Sequence, residues 1–195
     1  MQEKKNKWRE ILFSKTLVEK GASHKIAYVA ICVALNVIVN AAASIPLGFV
    51  QFSLTLFVSA LTGILIGPLF GFAACFLGDT LGFFISGYGA WTPWMGMSMG
   101  VAAMIAAFIV NGLPLRCKGA IYVKLAIVCV LTYAICTYAI GTTVAYYLWN
   151  SKNLPYTDFL VARLSVQSWN NLLNSVLLFV IVPVLGRIKP LKIRL

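Results

Sequence analysis

The sequence predicts an all-α integral membrane protein: a bundle of six transmembrane helices with both termini in the cytoplasm. Three observations predict it. Of the 195 residues, 61% are apolar and only 11% charged, where a soluble domain carries about 25% charged residues. Between Ile26 and Arg116 the only formal charge is Asp79, and a spanning helix needs about 20 predominantly apolar residues. The basic residues then cluster in three places that alternate with the apolar runs. Lys4, Lys5, Lys7, Arg9, Lys15, Lys20 and Lys25 precede the first run. Arg116, Lys118 and Lys124 flank one internal loop, and Arg187, Lys189, Lys192 and Arg194 follow the last run. Cytoplasmic loops are enriched in Lys and Arg, so all three clusters belong inside. The net charge of +11 therefore reports orientation rather than nucleic-acid binding.

Residues 1–25 read as a basic cytoplasmic segment. They hold no apolar stretch and no small-residue cleavage site, so they do not read as a secretory signal. Trp8, Ile11 and Leu12 fall on one helical face among basic residues, which suits either a short helix on the inner leaflet or a frayed tail. The transmembrane domain follows over residues 26–186, and 187–195 form a basic cytoplasmic tail.

Within the domain, span one runs from Ile26 to Ile45, ended by Pro46 and Gly48. Span two covers Phe52 to Ile66. Gly67-Pro68 makes a tight inner turn, so spans two and three are antiparallel neighbours. Span three covers Leu69 to Ile85. A glycine- and aromatic-rich outer loop with Tyr88, Trp91 and Trp94 leads into span four, Trp94 to Val110, broken by Asn111-Gly112-Leu113-Pro114. Span five, Ala120 to Trp149, is long enough to tilt or project outward. Span six covers Thr157 to Gly186. No hydrophilic stretch is large enough for a soluble domain, and no internal repeat supports the inverted-repeat plan of many secondary transporters.

Several polar residues interrupt these spans. Arg163, Gln167, Asn170, Asn171 and Asn174 fall on one stripe of span six. Lipid cannot satisfy such groups, so the stripe faces the bundle or a wet cavity. Arg163 is placed either to meet a ligand carboxylate or to pair with Asp79 or Asp158. Asn36 and Asn40 lie one turn apart on span one. Together these residues describe a polar-lined pocket open to the outside, with Tyr88, Trp91 and Trp94 as interfacial anchors or as a lid that stacks on a flat ligand. Asp79, alone inside span three, is either a structural or a functional acid. Gly67, Gly71, Cys75, Gly78 and Gly82 form a smooth stripe for close helix packing. Ala30 and Ala34, four apart on span one, offer a small face to a neighbouring helix or to another protein.

An enzyme is not expected. No nucleophile–base pair, metal cluster or Walker sequence occurs, and the one histidine, His24, lies in the cytoplasmic flank. The five cysteines form no close pair and read as small apolar residues. No cofactor is implied.

The chain resembles the substrate-binding S components of energy-coupling factor (ECF-type) vitamin transporters over about Ile26 to Leu185. The resemblance rests on Ala30-Ile31-Cys32-Val33-Ala34-Leu35-Asn36-Val37, Gly67-Pro68-Leu69-Phe70-Gly71, Gly78-Asp79-Thr80-Leu81-Gly82, the glycine–aromatic loop and an arginine-bearing sixth span. It implies a vitamin site facing outward, a transmembrane coupling subunit (EcfT-type) docking on Ala30 and Ala34, and two cytoplasmic ATPases. Vitamin would be delivered by toppling of the loaded subunit within the cell membrane. The folate branch is the nearest in appearance, with cobalamin the rival. Ser86-Gly87-Tyr88 and Met95-Gly96-Met97-Ser98 depart from that branch where ligand would bind. An autonomous channel or secondary transporter, and a membrane enzyme or assembly factor, are the competing readings.

Overall fold

The computed structural model describes residues 14, 21–42, 44–47, 50–87, 91–114, 119–150 and 153–186. Its elements are α1 (Ala22–Ala42), β1 (Ser44–Leu47), β2 (Val50–Ser53), α2 (Thr55–Ile66), α3 (Pro68–Ser86), α4 (Pro93–Ala107) with a π-helical end π1 (Phe108–Gly112), α5 (Ala120–Thr132), π2 (Tyr133–Thr142), α6 (Thr143–Trp149) and α7 (Tyr156–Gly186). Five helical stretches are long and apolar enough to cross a membrane: Ala22–Ala42, Pro68–Ser86, Pro93–Gly112, Ala120–Leu148 and Tyr156–Gly186. With α2 they make the six expected from the sequence. Tyr88 and the Trp8–Leu12 stretch lie outside the described residues, as does the tail 187–195.

The main departure from an all-helical expectation lies between spans one and two. Ile45 and Phe52, assigned to those spans, sit instead in a short antiparallel ribbon with Ile45 opposite Phe52 and Ser44 opposite Ser53. Pro46 explains why: it cannot continue a helix, and it disfavours helical geometry in the residue before it. The helix of span two consequently starts only at Thr55. Its 12 residues cover about 18 Å at 1.5 Å per residue, short of the ~30 Å hydrocarbon core. What α2 lacks in length it makes up in burial: of its residues only Leu65 is not fully buried. It is the central helix, buried on every side, with Ser59 and Thr62 hydrogen-bonded to Asn36. Phe57, Leu61 and Ile64 pack there with Leu125, Val128, Leu178 and Val182.

The turn after α2 is made by the residues that predict it. Gly67 takes φ +91°, a conformation that costs a residue without Cβ little. Pro68 opens α3 at the first helical position, where its missing N–H is not needed.

The glycine stripe of α3 brings α1 to its surface. A methyl group at Gly78 would fall 2.5 Å from Cβ of Asn36, and one at Gly82 would fall 2.7 Å from Cβ of Asn40. Real Cβ atoms do not approach this closely, so the asparagines of α1 are seated directly on the glycines of α3. On the far side of α2, a methyl at Gly63 would overlap the main-chain carbonyl of Ala103 in α4.

Span five runs unbroken from Ala120 to Trp149, but its middle ten residues are π-helical. It lies antiparallel to α7, as three contacts along its length record. Tyr122 stacks on Phe179 at 6.2 Å, Asn171 donates to Thr137 at 3.3 Å, and Tyr146 meets Phe159 edge-on at 5.5 Å. Where α5 begins beside π1, the buried Lys124 donates to the Val110 carbonyl at 3.1 Å. Ser14 donates to the Leu65 carbonyl at 2.8 Å. Large apolar side chains such as Ile31, Phe84, Val130, Trp169 and Val180 are exposed around the outside, a surface that lipid rather than water would solvate. Cys32, Cys75, Cys129 and Cys136 are free thiols.

Candidate binding site

The polar stripe on α7 divides into two parts with different work. Asn170 and Asn174 turn toward the β2–α2 junction. Asn174 Oδ1 accepts from the Phe57 N–H at 2.9 Å, and its Nδ2 donates to the carbonyls of Ser53 at 3.0 Å and Asn170 at 2.7 Å. Asn170 Oδ1 accepts from the Ser53 N–H at 3.1 Å. The reason for this arrangement lies at the start of α2. A helix leaves its first N–H groups without intrahelical partners, and the residue at the N-cap is Leu54, which offers no side-chain acceptor. Asn174 supplies that cap from 117 residues away.

The asparagines of α1 are likewise engaged. Asn36 donates to Thr62 Oγ1 at 3.0 Å and to the Cys32 carbonyl at 2.9 Å, and accepts from Ser59 at 3.3 Å. Asn40 donates to Asp79 Oδ1 at 2.8 Å and to the Asp79 carbonyl at 3.1 Å. Asp79 thus has a neutral amide as the partner of its carboxylate, across the glycine contact that joins α1 to α3. Of the ten side chains put forward from the sequence as substrate-binding, Asn36, Asn40, Asn170 and Asn174 are therefore bound up in holding helices together.

The other part of the stripe faces π2. Arg163 is only 7% exposed, and a methyl added to Gly141 would lie 4.0 Å from its Nη2. The bare backbone at Gly141 gives the guanidinium room beside the π-helix. One turn along is Gln167, and a further turn brings Asn171, hydrogen-bonded to Thr137. Among the described residues, Gln167 Oε1 and Asn171 Oδ1 are buried and have no hydrogen-bond partner; the same is true of Trp91 Nε1 and Thr92 Oγ1 beside the outer loop. A buried polar atom left unpaired costs about 1–3 kcal/mol, so such atoms are rare in a native fold and call for a water, an ion or a ligand to complete them. The α7 stripe thus carries two acceptors one turn apart beside the Arg163 guanidinium, and the loop carries an indole donor and a hydroxyl.

The aromatic residues of the loop separate. Trp91 is partly buried, with its ring 5.9 Å from that of Phe84. Trp94 is 59% exposed on α4, the placement of an interfacial anchor. Ala30 and Ala34 are both exposed on the outer face of α1. Sequence reasoning missed Thr92, Thr137 and Gly141. A lone threonine or glycine in an apolar span carries no distinguishing signal, and nothing in the residue pattern announces a π-helix.

A family model described as ECF-type riboflavin transporter, S component, matches residues 20–191. No curated protein matches the sequence. Among solved structures, a crystal structure of FolT bound with folic acid is similar with a TM-score of 0.63 at 18% sequence identity, over 82% of this chain and 92% of that one. At that identity the likeness shows a shared fold. The family match spans the entire membrane domain, and with it the chain is placed: it is a multi-pass membrane protein that belongs to the family of ECF-type riboflavin transporter S components.

Proposed function

We propose that this chain is the vitamin-capturing subunit of an ECF-type importer, that its termini are cytoplasmic, and that its cargo is riboflavin. The observation that carries the reading is the inward stripe of Arg163, Gln167 and Asn171, with two buried acceptors unpaired among the described residues, inside a chain of this family. Riboflavin is a flat, uncharged tricycle bearing a polyol chain. Its imide N–H and its hydroxyls are donors suited to Gln167 Oε1 and Asn171 Oδ1. Its carbonyl oxygens are acceptors suited to Arg163 and to Trp91 Nε1. The ring of Trp91 is a stacking surface for the tricycle.

Folate, first in order on the sequence alone, becomes the second reading. It keeps one favourable observation, the buried Arg163, which suits a carboxylate better than a neutral vitamin. Cobalamin, with its many amides, would suit the four amides of α7, but Asn170 and Asn174 are taken up at the β2–α2 junction and only Gln167 and Asn171 remain.

Capture alone does not move a vitamin across the membrane. The exposed pair Ala30 and Ala34 forms a shallow strip on α1 on which a coupling subunit would pack closely. Docking there would let two ATPases drive the loaded bundle to topple and present its site to the cytoplasm. The positive-inside pattern supports cytoplasmic termini.

The deciding experiment is to purify the full chain in detergent and identify any retained small molecule by absorbance and mass spectrometry, then titrate the emptied protein with riboflavin and folate. Retained flavin, or tight riboflavin binding without ATP, is the expected result. A retained pterin with no riboflavin binding would transfer the assignment to folate. Binding of neither, with solute flux through liposomes holding this chain alone, would replace the reading with an autonomous transporter.

A further inference from the structure

We infer that Thr137, on the π-helical segment of span five, is a positioning residue that fixes Asn171 as an acceptor for a donor group of the vitamin. The inference rests on the proposed riboflavin site and extends it to a residue that touches the ligand only through its neighbour. Asn171 is 8% exposed and Thr137 7% exposed, so their contact is shielded from water. Asn171 Nδ2 donates to Thr137 Oγ1 at 3.3 Å, while Asn171 Oδ1, also buried, has no partner among the described residues. A primary amide has one carbonyl end and one NH2 end. With the NH2 end held by Thr137, the carbonyl end is the one left to accept a further hydrogen bond. An amide oxygen so held would accept from a ligand donor, either an imide N–H or a hydroxyl, and would disfavour an acceptor.

The π-helix is what puts Thr137 in that place. Thr142 Oγ1 donates back to the Thr137 carbonyl at 2.9 Å across five residues, the spacing of a π-helical turn. Gly141 permits this turn, since a methyl there would fall 2.9 Å from the carbonyl oxygen of Cys136. An added residue per turn rotates the helix face relative to an α-helix, and π-helical segments are frequent at functional sites. In this chain the segment faces Arg163 at Gly141 and Asn171 at Thr137.

The test is a double-mutant cycle on the full chain with riboflavin as the probe, reading dissociation constants by flavin fluorescence and stability by thermal unfolding of the emptied protein. Thr137→Val keeps the shape and removes the hydroxyl. It should weaken riboflavin binding about tenfold, the loss of one oriented hydrogen bond. Thr137→Ser should restore binding to within about twofold. In an Asn171→Leu background, Thr137→Val should change affinity no further, because the residue it positions is gone; distant, independent sites would instead add. A Thr137→Val protein that binds as tightly as the wild type, or a cycle whose two effects add, overturns the positioning role and leaves the riboflavin site standing. A wild-type chain that binds no riboflavin overturns both. Should Thr137→Val unfold, the Ser and Ala variants measured in the same cycle carry the same comparison.

Discussion

Replacing Asn174 by leucine tests whether a distant side chain caps the central helix. The side chain is fully buried at 0% exposure, and leucine nearly matches its shape. Four hydrogen bonds disappear, to the Phe57 N–H, the carbonyls of Ser53 and Asn170, and the Asn170 side-chain oxygen. The Asn170 carbonyl belongs to the same helix as Asn174, so its loss is the least costly. The Phe57 N–H is the serious loss: it lies in the first turn of α2, and Leu54 at the N-cap makes no side-chain cap bond. A lost N-cap costs about 1 kcal/mol, and an orphaned buried carbonyl at Ser53 adds about 1–3 kcal/mol. Leucine recovers part of this through apolar burial, leaving a net destabilisation of about 2 kcal/mol. For a protein of this size that corresponds to a fall of roughly 4–8 °C in unfolding temperature. The assay is thermal unfolding of purified protein in one detergent, alongside the lipid-facing control Leu172→Ala, which should shift it far less. A variant that melts within about 1 °C of the wild type, or no lower than the control, would refute trans-capping and return Asn174 to the ligand site.

Three further outcomes follow from the same geometry. Gly82→Val should cost more than about 2 kcal/mol by driving α1 off α3, seen as lost monodisperse protein in size-exclusion chromatography, whereas Gly87→Ala, with open space but φ +67°, should cost only about 1 kcal/mol. Gln167→Leu should weaken riboflavin binding about tenfold or more while leaving unfolding temperature unchanged or raised, because it removes a buried unpaired acceptor from the empty protein; titration and melting curves on the same preparation check both halves. Ala30→Trp or Ala34→Trp should leave riboflavin affinity intact and abolish uptake in cells that carry the coupling subunit and ATPases, so retained uptake would remove the docking strip from α1.

The spans were legible in the sequence because lipid is an undemanding solvent with one strict requirement: apolar runs of a set length whose backbone groups bond within the run. The long uncharged stretches, the Gly67-Pro68 turn and the glycine stripe at Gly78 and Gly82 follow from local chemistry, and each is where residue pattern places it. Even the inward face of span six could be read from the spacing of Arg163, Gln167, Asn170, Asn171 and Asn174. What each amide on that face does could not. Asn170 and Asn171 are adjacent in sequence, yet one accepts from the main chain of β2 117 residues away and the other presents a buried oxygen beside π2. An amide is both donor and acceptor, so its role is set by whichever backbone group arrives opposite it, and that is decided by packing between elements far apart in the chain. The π-helix at Tyr133–Thr142 belongs to the same class, since no residue pattern announces it, whereas the ribbon at Ile45–Phe52 follows from Pro46, a local cause. The sequence by itself determined that this is a six-span membrane bundle with a polar inner face; only the tertiary structure decided which of those polar groups hold the bundle together and which remain to hold a ligand.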